Sequence, residues 1–207
     1  MSGIELSLGN IFTFISYISP FLVGFFVVII SFINQNIKGI IYLGGALIVT
    51  FITLILQKIG GDYGYTIEPG NEALCNIFNI GGFGNISKSS LPPFNSVFIM
   101  FTLVYLMVPL YQKTNSVNMF FTGFMIAIYF IDGFIKVGYG CTQVIGVLIG
   151  GMIGSLLGYL YFNLLKSNNA DQFLFFNEFS ADKKVCSRVT QKTFKCKVYK
   201  NGELIRE

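Results

Sequence analysis

The chain has 207 residues, a formal net charge of +4, 12% charged residues and no histidine. The missing histidine excludes membrane phosphatases with a histidine nucleophile and zinc proteases of the His-Glu-x-x-His type. Ionisable side chains are nearly absent from five long apolar runs, so lipid is the expected solvent for most of the chain.

These five runs predict membrane-spanning helices, because a hydrocarbon core about 30 Å thick needs roughly 20 apolar residues in a helix. The third and fourth runs are short and close together, which indicates a tight helical hairpin. The fourth reaches full length only by including Asp132 and Lys136, so four spans with a re-entrant element is the alternative. The runs cover residues 11–33, 37–57, 94–112, 117–136 and 143–165.

Pro20 lies inside the first run and should kink this helix, because proline lacks the backbone N–H of a regular helix. The carbonyl group that loses its partner needs another donor. We expect Ser16, Ser19 or a neighbouring helix to supply it.

The loop over 58–93 is rich in glycine and other turn-forming residues. It contains Asn85 in an Asn-x-Ser sequon, a candidate glycosylation site. Cys75 of this loop and Cys141, just before the last run, fall on the same side of a five-span bundle. They could form a disulfide in an oxidising compartment, or they could be unrelated buried thiols.

The last span, 143–165, carries glycine at every fourth position, at residues 146, 150, 154 and 158. A row of small residues lets another backbone approach closely, which is how helices pack in lipid. This glycine zipper (Gly146, Gly150, Gly154, Gly158) could serve packing within the bundle or self-association between copies. We favour the intramolecular interpretation.

Two further features lie near the end of the fourth span. Asp132 and Lys136 are four residues apart and share a helix face, which favours an ion pair over a relay for ions or protons. The sequence Val137-Gly138-Tyr139-Gly140 matches part of a potassium-channel filter. However, Lys136 stands where the filter has threonine, so a glycine-rich turn is the preferred interpretation.

The soluble tail, residues 166–207, has nine basic and five acidic residues, whereas the rest of the chain is balanced. By the positive-inside bias, the tail is expected on the cytoplasmic side and the N-terminus on the lumenal or outer side. Alternating residues around Asn201-Gly202 predict a β-hairpin over about 192–206, with Lys200 opposite Glu203. Cys186 and Cys196 of the tail could pair or remain free, and no metal role is expected.

The tail, from Cys186-Ser187-Arg188 through Gln191 to Ile205, resembles small multi-pass membrane proteins of nucleocytoplasmic large DNA viruses of algae and protists. The glycine-rich helix from Gly146 to Tyr161, Cys75 to Phe78, and Phe98 to Pro109 are also similar to that group, although Val189 replaces a proline. The resemblance implies a component of the virion membrane beneath an icosahedral capsid. It also implies partners among other virion membrane or capsid proteins.

The sequence therefore predicts an all-α integral membrane protein, with a five-helix bundle over residues 1–165 and a small C-terminal hairpin tail. We expect a structural, non-enzymatic virion protein with no catalytic, cofactor or metal site. Expected partners are the lipid bilayer, virion proteins and a second copy of the chain; nucleic acid is not expected. The alternative is an oligomeric ion channel or small transporter using segment 132–140.

Overall fold

The computed structural model describes residues 8–60, 67, 75, 91–114, 118–168, 170, 173–175, 199–200 and 203–204. Five helices in it are long and apolar enough to cross a membrane, which confirms the prediction of five apolar helices. In chain order they are α1 (Leu8–Ile33), α2 (Lys38–Gly60), α3 (Phe94–Thr114), α4 (Met119–Gly138) and α5 (Val144–Ser167). The fourth run forms a helix of 20 residues that includes Asp132 and Lys136.

The short connections between helices have identifiable local causes. Between α1 and α2, Ser31 Oγ accepts a hydrogen bond from the Gly39 amide at 2.8 Å. A side chain on Gly39 would come within 2.7 Å of Ser31, so this tight turn requires glycine. At the start of α4, the Asn118 side chain accepts a hydrogen bond from the Phe121 amide, which caps the helix.

The third helix, α3, is the centre of the bundle. It is the most buried of the five spans, and its most extensive contact is with α5. The other helices bury one face and expose apolar side chains on the other, as expected of helices that meet lipid. Tyr42 of α2 packs against Phe101 and Tyr105 of α3, and the three ring centroids are 5.9 to 6.3 Å apart.

The bundle has two ends, which we call the loop side and the tail side. The loop side contains the start of α3 and the end of α4, together with the described loop residues Ile67 and Cys75. At the tail side, the buried Phe175 packs edge-on against Tyr105. The Lys38 ammonium lies 5.9 Å from the centroid of the Phe175 ring. The chain therefore folds back onto the bundle after α5.

Near the C-terminus, β1 (Tyr199–Lys200) and β2 (Glu203–Leu204) pair antiparallel, with Lys200 opposite Glu203. The longer hairpin expected over 192–206 falls mostly outside the described residues and stays a prediction. Asn85, Cys186 and Cys196 also lie outside the described residues.

Candidate functional site: a buried polar cluster

Four polar side chains from three helices meet near the loop side of the bundle. Ser16 comes from α1, Asn95 from α3, and Asp132 and Lys136 from α4. Asp132 is completely buried, and the other three are at least nine-tenths buried. We call these four residues the polar cluster.

The Asp132 carboxylate is the centre of the polar cluster. Its Oδ1 atom accepts hydrogen bonds from Ser16 Oγ at 2.6 Å and from Asn95 Nδ2 at 2.8 Å. Its Oδ2 atom lies 3.4 Å from the Lys136 ammonium nitrogen. The structure thus brings Asp132 and Lys136 together as an ion pair within one helix, while the two hydrogen bonds connect α4 to α1 and α3.

Pro20 explains why Asn95 lies at this position. Because Pro20 has no N–H, the Ser16 carbonyl four residues earlier lacks its usual helical donor. Ser19 Oγ donates to this carbonyl at 2.8 Å, and Asn95 Nδ2 donates to it at 2.9 Å. A neighbouring serine and a neighbouring helix therefore both compensate for the proline, as the sequence suggested.

A disulfide joins Cys75 to Cys141 beside the polar cluster, with the two Cα atoms 5.1 Å apart. It ties the long loop to the turn between α4 and α5. The Cys141 amide donates to the Lys136 carbonyl at 2.8 Å, so the bridge lies next to the last turn of α4. Tyr17, the neighbour of Ser16, places its hydroxyl 3.9 Å from Cys141 Sγ.

The glycine zipper of α5 is used inside the bundle. At Gly154 a Cβ atom would collide with the Val97 carbonyl of α3, and at Gly158 it would lie 2.7 Å from the Phe101 carbonyl. Gly150 faces Ser96, and Gly146 lies against Leu91, just before α3. Gly150, Gly154 and Gly158 therefore allow α3 and α5 to approach closely, and Gly146 leaves room for the segment just before α3.

The filter-like segment does not have the conformation of a selectivity filter. Val137 and Gly138 belong to α4, and the Val137 carbonyl accepts a hydrogen bond from the Gly140 amide at 3.1 Å. The Lys136 carbonyl accepts from both Cys141 and Thr142. Because a filter needs carbonyl groups that are available to the ion, this segment acts as a helix end and a turn.

Sequence reasoning identified Asp132 and Lys136 but missed Asn95 as a member of the site. Asn95 lies at the start of an apolar run, where an amide is often only a helix-boundary residue. Its position next to the Pro92-Pro93 pair gave no indication of its partners. The one indication in the sequence was Pro20, which leaves the Ser16 carbonyl without its helical donor and so predicts a hydrogen bond from a neighbouring helix.

The chemistry of the polar cluster is that of a helix-to-helix connection. Three of its hydrogen bonds cross between helices: Ser16 and Asn95 donate to Asp132 Oδ1, and Asn95 also donates to the Ser16 carbonyl. Asn95 Oδ1 and Asp132 Oδ2 are buried without a hydrogen-bond partner among the described residues. Within the described residues, no group of three or more histidine, cysteine, aspartate or glutamate side chains lies together in a way that could hold a metal ion.

Comparisons with known proteins give no further assignment: no family model, no curated protein and no solved structure matches the chain.

Proposed function

We propose that the protein is a non-enzymatic structural membrane protein of a viral particle, which anchors or organises the internal membrane beneath the capsid. The observation that carries the structural role is the bonding of Asp132. As the one acid within the five apolar helices, it would be the first suspect for ion or proton transport. Its two hydrogen bonds instead go to Ser16 and Asn95 of neighbouring helices.

The glycine zipper supports the same proposal. The close contact of α5 with α3 attaches α5 tightly to the central helix of the bundle. Such a bundle is suited to holding soluble segments at fixed positions on the two membrane surfaces. The soluble segments that would meet partners are the long loop over 58–93 and the basic tail with its hairpin over 192–206.

The viral part of the proposal rests on the resemblance of the tail and of the α5 region to virion membrane proteins. In this proposal the tail faces the cytoplasmic side, and the N-terminus and long loop face the lumenal side. The basic tail supports that orientation through the positive-inside bias. The disulfide between Cys75 and Cys141 supports it independently, since disulfides persist in oxidising compartments.

The decisive experiment is to locate the protein in purified virions. An antibody against the tail should detect it in particles, and a mild detergent should release it together with the membrane lipid while the capsid shell stays intact. If the protein occurs in membranes of infected cells but not in purified particles, the proposal is wrong.

The orientation has its own test at Asn85. If the long loop is lumenal, expression in a eukaryotic cell should give a glycosylated product that an endoglycosidase shifts to lower mass. The Asn85→Gln variant is the control and should lack the shift. An engineered sequon in the tail that is glycosylated, with Asn85 unmodified, would reverse the orientation.

The channel alternative is decided by electrical recording. Purified protein in a planar bilayer should give no selective cation current, because the carbonyl groups of Lys136 and Val137 are engaged in the turn. A cation current in the wild type that changes in a Gly138→Ala variant would overturn the structural proposal. Gly138 suits this test because a Cβ atom there meets nothing within 4 Å, so packing is preserved.

A further inference from the structure

The two cysteines of the disulfide differ in their exposure to solvent. Cys75 is partly exposed, whereas only 6% of Cys141 is exposed. Thiol–disulfide exchange starts when a thiolate attacks one of the two sulfur atoms, and access decides which one is attacked. An incoming thiolate is therefore expected to attack the more exposed Cys75 and to displace the sulfur of Cys141.

The sulfur of Cys141 has a hydrogen-bond donor beside it. Because a disulfide sulfur carries no hydrogen, Tyr17 is the donor in the 3.9 Å contact between its hydroxyl and Cys141 Sγ. When the bridge opens, negative charge develops on this sulfur. A hydroxyl that already points at it stabilises this charge, since hydrogen bonds to ionised acceptors are the stronger ones.

Backbone hydrogen bonds hold Cys141 in place independently of the bridge. The amide groups of Cys141 and Thr142 donate to the Lys136 carbonyl at 2.8 and 3.3 Å. Cys141 is thereby attached to the end of α4, and α4 is attached to α1 and α3 through Asp132. The position of Cys141 is thus fixed by its hydrogen bonds to the helix bundle, whereas Cys75 is part of the long loop.

We propose that Cys75 is the entry sulfur through which a thiol–disulfide oxidoreductase, a protein with a redox-active dithiol, makes and breaks this bridge. Cys141 is the resolving sulfur, and Tyr17 is the positioning residue that stabilises the Cys141 thiolate. The Cys75–Cys141 pair is then an exchange site with a defined order of attack.

In the oxidative direction, the Cys75 thiolate attacks the disulfide of the oxidised partner, which gives a mixed disulfide and one partner thiolate. The Cys141 thiolate then attacks Cys75 Sγ, forms the internal bridge and releases the second partner thiolate. The two cysteines lose two electrons and two protons. The electrons reduce the partner's disulfide to a dithiol, and the protons pass to the partner's thiolates or to water.

The first test uses glutathione as the probe on the full chain in detergent. Cys186→Ser and Cys196→Ser remove the tail thiols. A brief exposure of the oxidised protein to reduced glutathione, followed by acid quench and peptide mass spectrometry, should place the adduct on Cys75. An adduct found mainly on Cys141 would overturn the proposal, and this measurement needs no variant at the bridge.

Single-cysteine variants test the same order from the reduced side. With oxidised glutathione, the Cys141→Ala variant should accumulate a stable adduct on Cys75. The Cys75→Ala variant should acquire an adduct on Cys141 about tenfold more slowly, because the buried sulfur is less accessible. Equal rates in the two variants would contradict the assignment of the entry sulfur.

The role of Tyr17 is tested by the rate of ring closure from the Cys75 adduct. Tyr17→Phe should slow closure by about three- to tenfold, the range expected for loss of a hydrogen bond with a net contribution of about 1 kcal/mol. Its pH profile should move to higher pH, and its rate should approach that of the wild type at alkaline pH. Among the described residues, the ionisable groups near Tyr17 and Cys141 are Asp132 and Lys136 of α4 and Tyr139 of the turn.

The matched control is Tyr139→Phe. The Tyr139 hydroxyl lies 3.3 Å from Thr13 Oγ1, in the same region, so this variant removes a nearby phenol that bonds elsewhere. It should leave the closure rate and its pH profile unchanged. If both variants behave like the wild type, or slow closure equally at every pH, Tyr17 does not stabilise the thiolate.

Discussion

The Asn95 amide donates one hydrogen bond to the Asp132 carboxylate, at 2.8 Å, and another to the Ser16 carbonyl, at 2.9 Å. One side chain of α3 therefore binds both a charge on α4 and a backbone group on α1. The backbone group is available because Pro20 interrupts the hydrogen bonding of α1. The backbone carbonyl freed by Pro20 and the Asp132 carboxylate would each be costly to bury without a hydrogen bond. The Asn95 amide donates to both.

The hydrogen bond from Ser16 to Asp132 should contribute to the free energy of unfolding. Ser16→Ala removes a 2.6 Å bond between two helices, so we expect a loss of about 1 kcal/mol, a typical value for interhelical bonds in membranes. The measurement is unfolding in mixed micelles with increasing dodecyl sulfate, followed by circular dichroism because the chain lacks tryptophan.

Ser155→Ala is the control for that substitution. Ser155 Oγ donates to the Gly151 carbonyl of its own helix at 2.8 Å, so its removal deletes the same atoms without separating two helices. This variant should unfold like the wild type. Equal losses from Ser16→Ala and Ser155→Ala would show that the polar cluster does not connect the helices energetically.

Asp132 and Lys136 should show a strong energetic coupling. Lys136→Met leaves a buried carboxylate without its cation, and breaking a buried pair in this way costs about 3 to 5 kcal/mol. Asp132→Asn removes the negative charge but keeps an oxygen that accepts the hydrogen bonds from Ser16 and Asn95. The double variant should therefore be less destabilised than the sum of the single variants, by about 1 to 3 kcal/mol in a double-mutant cycle. Additive losses would contradict the ion pair.

The five helices could be predicted from the sequence because a membrane span depends on length and hydropathy alone. The fourth run was predicted over 117–136, and α4 covers Met119–Gly138. Its two charged residues weakened the prediction, since hydropathy treats each charge as a cost. Their hydrogen bonds and mutual attraction reduce that cost, and these contacts depend on helix neighbours that a hydropathy profile does not contain.

The partners of the site were harder to predict than its charges. The spacing of four residues on one helix was sufficient to predict the ion pair of Asp132 with Lys136. The location of Cys75 and Cys141 on the same side of the membrane was sufficient to suggest a disulfide between them. The link from Asn95 to Asp132 depends on which helices pack together and at what rotation. The glycine zipper indicated close packing of α5 but could not identify α3 as the partner.

The disulfide should stabilise the bundle through the long segment that it closes. The two cysteines are 66 residues apart, and a loop of that length gives about 4 kcal/mol in the chain-entropy model. A Cys75→Ser and Cys141→Ser double variant should lose stability of this order in the dodecyl sulfate titration. Adding a reductant should lower the stability of the wild type to a similar level and leave the double variant unchanged. A reductant effect of equal size in both proteins would point to the tail cysteines instead.

Gly154 should tolerate a methyl group far less well than Gly123. At Gly154 a Cβ atom would overlap the Val97 carbonyl, so Gly154→Ala must push α5 away from α3, at a cost of about 1 to 3 kcal/mol. At Gly123 of α4 a Cβ atom meets nothing within 4 Å. Gly123→Ala should therefore be neutral, or stabilising by up to about 1 kcal/mol from helix propensity. Both variants make the same chemical change, so the difference between their unfolding free energies isolates the helix contact.

If Gly154→Ala is as stable as Gly123→Ala, while a size measurement shows loss of a dimer, the glycine zipper joins two copies instead of packing against α3.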